Sequence, residues 1–290
     1  MTHWHILGAG AIGSFVAYRM HLHQRSYSLL HHHQDVEERV VVDGEVETAL
    51  VAEPLHSLKR GSIEHLLLTT KAGQLLDALN LALPYLSPGA IIACTANGLG
   101  FEEAMRGGLS GRMLYRAIST AGAYRDAQNR VHIASLGRIR MGAADGSTEA
   151  PHWFCDSLEP LEEWRWEGDI ARAIAEKFSI NCVINPLTAQ LRCHNGELLQ
   201  GDTPGPDLVA LCRESEPALR ALGLWSGDPA LLDTAVEICR QTALNRSSML
   251  QDVIAGRPTE IAYLNGELLR RAEPLGLELP INHALVNALR

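Results

Sequence analysis

The sequence has no C-x-x-C pair, no long run of basic residues, and no apolar stretch near the roughly 18 residues that a membrane-spanning helix requires. Each absence removes a class of protein. Its six cysteines, Cys94, Cys155, Cys182, Cys193, Cys212 and Cys239, are scattered, so neither a zinc site nor a small disulfide framework is indicated and a reducing compartment fits best. Acidic residues number 34 against 25 basic ones, a formal charge of -9, which excludes the footprint of a protein that grips nucleic acid by counterion release. An anionic ligand must then be held by a local arrangement. The N-terminus lacks the basic segment of a secretory signal and its apolar stretch is broken by Gly8, Gly10 and Gly13, so a soluble cytoplasmic protein is expected. What is present is ordinary for a globular chain. Its 290 residues are 46% hydrophobic and 20% charged, too apolar for disorder and long enough for two domains.

The first half alternates short apolar runs with helical patterns. Strands are expected at residues 3–7, 27–30, 65–69 and 90–94, with helices at 12–22 and 74–82, the second closed by Pro84. Asp43-Gly44 between valine-rich runs marks a hairpin in the stretch 40–51. Such alternation predicts a parallel sheet covered on both faces. Two further β runs, 131–133 and 138–141, flank Ser135 to Gly137 and read as an antiparallel hairpin finishing the sheet. From Ile170 onward Leu, Ala, Glu and Arg recur at three- and four-residue spacing, with Asp228-Pro229 as a helix start and a last helix near Asn282. The reading is an α/β domain over 1–168 followed by an all-α domain over 169–290.

Gly8-Ala9-Gly10-Ala11-Ile12-Gly13 follows a strand and opens a helix, the context a dinucleotide-binding turn requires. The first glycine permits the tight turn, the second lets a pyrophosphate approach the backbone, and the third allows close helix-to-strand packing, with the phosphates over the positive helix end. Gly8, Gly10, Ala11, Ile12 and Gly13 are therefore candidate cofactor contacts. An NAD site usually carries Asp or Glu about 20 residues further on, to accept from the ribose hydroxyls. That position falls on His31-His32-His33, with no acid before Asp35. The missing carboxylate argues for NADP, with His32 at the ribose; the alternative is a solvated loop with incidental histidines. Metal binding by the trio is disfavoured, because no further ligand cluster accompanies it in sequence, and no metal is expected.

In the helical half, Lys177, Asn181 and Asn185 sit four apart, so on a helix they stack along one face while Phe178, Ile180, Val183, Ile184 and Leu187 cover the rest. Buried carboxamides without partners would cost about 1 to 3 kcal/mol each, so a ligand or a polar network must satisfy them. A lone lysine at a helix edge is more often solvated. Pro258 suits a helix start and places Thr259 and Glu260 in the first turn, where helix-end electrostatics alone would favour a carboxylate. Ser248, in Asn245-Arg246-Ser247-Ser248-Met249-Leu250-Gln251-Asp252, could contact a ligand or bond its own backbone.

At these residues the sequence resembles the ketopantoate reductases, or 2-dehydropantoate 2-reductases. The likeness covers nearly the whole chain. It runs through the glycine turn, Lys71-Ala72-Gly73-Gln74, Asn97-Gly98, the segment from Asn181 to Ala189, Asn195-Gly196-Glu197-Leu198, the segment from Ser247 to Asp252, and Thr259-Glu260-Ile261. Several such segments in family order are far more specific than the glycine turn alone. The resemblance implies an N-terminal Rossmann-type domain with a mostly parallel sheet, an all-α C-terminal domain, and NADPH-dependent reduction of 2-dehydropantoate to (R)-pantoate on the way to pantothenate and coenzyme A. It implies Lys177 as the general acid and Glu260 as the group that binds the substrate hydroxyl. Asn181, Asn185 and Ser248 would bind substrate, with Asn195 a further matching polar position, and Lys71 and Asn97 would serve the cofactor side. The sequence departs from the family where an arginine often follows the second strand, at His31 to His33, and at Gly73, where relatives carry bulkier residues.

Ketone reduction needs a hydride on carbon and a proton on oxygen; NADP(H) would supply the first and a desolvated lysine the second. The cleft between the domains is the expected location. A small 2-oxo acid is the expected partner, with neither nucleic acid nor membrane, and a homodimer is admitted. Two alternatives stand beside this reading: a reductase of a different 2-oxo acid, and a dinucleotide-binding sensor without turnover.

Overall fold

The alternation of apolar runs and helical patterns gives a sheet of eleven strands among the described residues, which in this computed structural model are 2–201 and 203–290. The strands are β1 (Trp4–Leu7), β2 (Tyr27–His31), β3 (Glu37–Asp43), β4 (Val46–Pro54), β5 (Ile63–Leu68), β6 (Leu86–Cys94), β7 (Leu114–Ser119), β8 (Gly122–Arg125), β9 (Val131–Ser135), β10 (Ile139–Ala143) and β11 (Trp164–Trp166). The helices among them are α1 (Ala11–Leu22), α2 (Leu75–Ala82), α3 (Phe101–Leu109) and α4 (His152–Ser157). The order across the sheet is β11-β10-β7-β6-β5-β1-β2-β4-β3-β9-β8. Its centre, from β7 through β6, β5, β1 and β2 to β4, is parallel throughout. β3 and β4 form the expected hairpin, with Asp43 opposite Val46.

Alternation along β1 turns Trp4 and Ile6 to one face. There they join Phe15, Tyr18 and Met20 of α1 and Phe154 of α4 in one buried cluster. Aromatic residues are only 5% of the chain, yet four of its five tryptophans, Trp4, Trp153, Trp164 and Trp166, gather in or against this cluster. The Trp4 indole is satisfied there, donating to Ser157 Oγ at 3.0 Å.

The hairpin expected across Ser135 to Gly137 is not formed. β9 and β10 do not pair with each other: β9 lies between β3 and β8, and β10 between β7 and β11. The turn lies at Asp126 to Arg130, where the Asp126 carboxylate accepts from the backbone N–H groups of Gln128 and Arg130. The β7–β8 arm leads into that turn and the β9–β10 arm leaves it. Both arms bend at the predicted turn, where Thr120 and Arg138 keep them joined by a backbone bond of 2.8 Å. Asp side chains that organise their own backbone outcompete a Ser-Gly pair as a turn former.

Two compact units result, one of residues up to Ala96 with Phe101–Ala171, the other of Asn97–Gly100 with Arg172–Arg290. The second carries α5 (Ile170–Leu191, which begins just before it), α6 (Pro206–Ala221), α7 (Leu231–Gln241), α8 (Ser248–Ile254), α9 (Asn265–Ala272) and α10 (Pro280–Leu289). Among its described residues the only strands are a two-residue ladder, β12 (Leu199–Gln200) with β13 (Thr203–Pro204). Asp228-Pro229 does not open α7, which begins two residues later; Glu216 on α6 meets the Leu231 amide instead, at 3.3 Å. No helix among the described residues is long and apolar enough to cross a membrane.

A proline inside α5 shapes this unit. Pro186 has no N–H, so the carbonyl of Cys182 loses its helical partner. Asn265 Nδ2 takes that carbonyl at 2.8 Å and also donates to Asn282 Oδ1 at 2.7 Å. Asn282 in turn donates to Glu214 and Ser215, both at 2.9 Å, while the Glu214 carboxylate receives the Ile281 and Asn282 amides at the start of α10. Asn265, Asn282 and Ser215 are fully buried, so a chain of hydrogen bonds, rather than apolar contact alone, joins α5, α6, α9 and α10.

Candidate active site

In the first unit the glycine turn has the geometry that its sequence implies. Gly8 has φ +123°, in the region that L side chains rarely adopt, and a Cβ at Gly13 would lie 2.0 Å from the Gly8 carbonyl oxygen and 2.5 Å from Thr69 Oγ1. These two glycines serve the turn and the close packing of α1. Gly10 differs: nothing lies within 4 Å of where its Cβ would be. The start of α1 at Ala11 and Ile12 carries no side-chain cap. An open approach over Gly10 onto uncapped helix amides fits a dinucleotide pyrophosphate. Lys71 follows β5, half-buried, as the extended residue ahead of a 3-10 turn at Ala72–Gln74.

The histidine segment divides. His31 is buried, its Nε2 donating to the Ala52 carbonyl at 3.1 Å and its Nδ1 accepting from the His33 amide at 3.1 Å. His32 is exposed and meets His33 edge to face. His33 Nδ1 reaches Glu37 Oε1 at 2.5 Å. Glu37 also pairs with Arg39, whose Nε donates to the Ala9 carbonyl of the glycine turn at 3.1 Å. The histidines are thus accompanied by a carboxylate after all: His31, His33 and Glu37 bring three possible metal-ligand atoms within 4.8 Å of one another. Sequence reading missed this because Glu37 arrives on the next strand. The hydrogen bond from His33 holds the Glu37 carboxyl below the usual carboxylate range against the opposing effect of burial, with Arg39 adding to the shift.

In the second unit α5 presents Lys177, Asn181 and Asn185 in line along one face, while Phe178, Ile180, Val183, Ile184 and Leu187 are all buried. Lys177 and Asn181 are half-buried and Asn185 is 8% exposed. Among the described residues neither carboxamide has a hydrogen-bond partner, and both reach the surface. No enclosed protein network satisfies them, which leaves solvent or a ligand. Asn97 Nδ2 donates to Glu260 Oε2 at 3.3 Å, so two residues 163 apart in sequence meet. Gly98 permits this: a Cβ there would lie 2.4 Å from the Tyr263 carbonyl oxygen, which also accepts from the Leu99 amide at 3.0 Å. Pro258 does not start a helix. Thr259 donates to the Leu289 carbonyl at 2.7 Å, and Glu260 precedes a 3-10 turn at Ile261–Tyr263, so helix-end electrostatics does not account for Glu260.

Of the two serines opening α8, Ser247 is the cap. Its Oγ accepts from the Leu250 amide at 3.1 Å and meets Thr188 Oγ1 at 2.7 Å, pinning α8 to α5. Ser248 is exposed. Asn195 is 9% exposed; its Nδ2 donates to Thr242 Oγ1 at 2.8 Å and its amide to the Asn245 carbonyl at 3.0 Å, while its Oδ1 is buried without a partner among the described residues. The pairing of Thr188 with Ser247 and of Thr242 with Asn195 was not read from the sequence. The pair of serines at a helix start was the one available signal.

The chain thus combines a glycine-cradled, centrally parallel Rossmann-type sheet with a helical unit that displays a lysine and two carboxamides. Two family profiles match the chain, ketopantoate reductase PanE/ApbA over residues 4–146 and ketopantoate reductase PanE/ApbA C terminal over residues 169–290. The 2-dehydropantoate 2-reductase of Vibrio cholerae is 30% identical over 98% of this chain and 96% of its own, and that of Yersinia pestis 34% identical over 82% and 76%. Among solved structures, a probable 2-dehydropantoate 2-reductase from Bacillus subtilis superposes with TM-score 0.78 at 26% identity, covering 99% of both chains. D-mandelate dehydrogenase in complex with NADH and anilino(oxo)acetate shares the fold, with TM-score 0.87 at 21% identity over 99% of this chain and 97% of its own. The chain belongs to the ketopantoate reductase family.

Proposed function

We propose that this protein reduces 2-dehydropantoate to (R)-pantoate with NADPH, a cytoplasmic step toward pantothenate and coenzyme A. Residues 1–168 would hold the cofactor and 169–290 the substrate. The observation that carries the reading is the line of Lys177, Asn181 and Asn185 on α5, an ammonium followed by two carboxamides that lack protein partners among the described residues, on a helix that buries Phe178, Ile180, Val183, Ile184 and Leu187. The relatives from Vibrio cholerae and Yersinia pestis that bear the name 2-dehydropantoate 2-reductase support the choice of substrate.

Gly8, Gly10, Ala11, Ile12 and Gly13 would hold NADPH at the glycine turn, Lys71 and Asn97 would serve the cofactor side, and the bound dinucleotide would supply the hydride. Lys177 polarises the ketone oxygen and gives it a proton, a role in which a positioned cation serves both as electrophile and as general acid. Asn181 and Asn185 follow one and two helical turns beyond it and orient the substrate, whose carboxylate Ser248 contacts. Glu260, steadied by Asn97 Nδ2, accepts from the substrate's 4-hydroxyl. Asn195, with its buried Oδ1, completes the polar lining.

The test is loss of NADPH absorbance on adding 2-dehydropantoate to the purified protein, beside a panel of other 2-oxo acids. Turnover fastest with 2-dehydropantoate is expected. No oxidation of the cofactor with any member of the panel would reject the proposal.

A further inference from the structure

In a Rossmann-type unit the adenosine ribose lies past the end of the second strand, where a carboxylate accepts from a 2′-hydroxyl or a guanidinium meets a 2′-phosphate. In this protein that strand ends at His31, and both nitrogens of its ring are spent on backbone, one on the Ala52 carbonyl and one on the His33 amide. His31 therefore holds the strand end in shape and cannot turn to a phosphate without breaking both bonds. The cation of this corner comes from β3. Arg39 is 8% exposed and anchored at two points: its Nε on the Ala9 carbonyl, between the first two glycines of the turn, and its Nη2 on Glu37. Nη1 has no protein acceptor among the described residues. A guanidinium presents its donors in one flat fork, so fixing two of them aims the third, and forks of this kind match phosphate oxygens.

Glu37 sets the charge around that fork. One carboxylate oxygen is taken by Arg39 and the other by His33 at 2.5 Å, so neither is left unengaged for a ribose hydroxyl, while the negative charge stays beside the guanidinium. A phosphate arriving at Arg39 meets a carboxylate already paired with the same cation, and like charges that close repel.

We propose that Arg39 is the residue that selects a 2′-phosphorylated dinucleotide in this protein, and that Glu37 is a resident competitor for the same guanidinium. This rests on the dinucleotide reading above and deepens it. The preference for NADPH then comes from the third strand and the glycine turn, in place of the basic residue that the end of the second strand lacks.

The test is calorimetric binding to the full chain, without turnover, of two ligand pairs that differ only in the 2′-phosphate: NADPH against NADH, and adenosine 2′,5′-bisphosphate against 5′-AMP. Tighter binding of the phosphorylated member of each pair is expected for the unaltered protein. Arg39→Leu is expected to shrink that ratio about tenfold or more, and Glu37→Gln to widen it about tenfold, the order that deleting one charge-assisted hydrogen bond or removing one opposing charge produces. Ratios unmoved by both substitutions, or narrowed by Glu37→Gln, would overturn the inference. Should Arg39→Leu fail to fold, Glu37→Gln decides alone. If the unaltered protein binds both dinucleotides and the substitutions leave their ratio untouched, the role of Arg39 fails while the proposed reductase stands. If it binds neither, both fail.

Discussion

The chain contains three lysines, Lys59, Lys71 and Lys177. In so lysine-poor a sequence, an ammonium placed four and eight residues before two asparagines is informative, and the structure puts all three on one face of α5. Replacing Lys177 by alanine is expected to lower kcat about 100-fold or more, the usual share of general acid catalysis, while the affinity for NADPH in a fluorescence titration stays unchanged. Turnover within a few-fold of the unaltered enzyme would remove Lys177 from that role. The two adjacent serines separate differently. Ser247→Ala removes a helix cap and the bond to Thr188 and should cost about 1 kcal/mol or more in urea unfolding, whereas Ser248→Ala should leave stability alone and raise KM for the keto acid. The spacing along α5 was readable in advance because helical periodicity is local. The pairs Ser247 with Thr188, Asn97 with Glu260, and Arg39 with Ala9 were not, because each partner comes from a distant part of the chain.

Among the elements, α5 is held by a bond that no propensity scale contains. Pro186 frees the Cys182 carbonyl, and Asn265 answers it while tying α9 to α10 through Asn282. Asn265→Leu should therefore strand that carbonyl and leave Asn282 short of a partner, at about 1 to 3 kcal/mol for each buried group left unsatisfied. Calorimetric melting would show the loss; a melting temperature equal to that of the parent would mean that the network is dispensable. The elements around the glycine turn were legible from their pattern, since a strand, a turn and a helix follow one another within 22 residues. The misplaced hairpin shows the opposite case. Ser135 to Gly137 has the composition of a turn but the chain only bends there, because Asp126 organises a better one nearby and the two arms keep pairing past the bend.

For the molecule as a whole, histidines buried near the start of the central strands make stability depend on pH. His5 is pushed down to about 4 from an ordinary 6.5, by burial first and then by the neighbouring charge of His3, and its Nδ1 is buried without a partner among the described residues. Burial also lowers His3 and His65. An unfolded chain takes up a proton on His5 near pH 6.5, whereas the folded chain resists until about pH 4. Its contribution is thus full above pH 6.5 and is lost progressively as the pH falls from 6.5 toward 4. Urea midpoints should decline across that window, beginning above the range where carboxylates titrate, and His5→Leu should flatten the part of the decline between pH 6.5 and about 5. An equally steep decline in the variant would mean that other groups govern it.

By itself the sequence determined the order of strands and helices around the glycine turn, the helical character of the second half, and the lysine and asparagine line on α5. These rest on periodicity and on residue types whose backbone or side-chain chemistry acts within a few positions. Only the tertiary structure decided which strands neighbour one another at the two ends of the sheet, that Asn265 repairs the gap left by Pro186, and that Glu37 and Arg39 gather beside His33 and the glycine turn. Those outcomes depend on burial and on the pairing of buried polar groups. Burial and pairing are properties of the folded chain, because whether a group keeps water or finds a partner is settled only when distant segments meet.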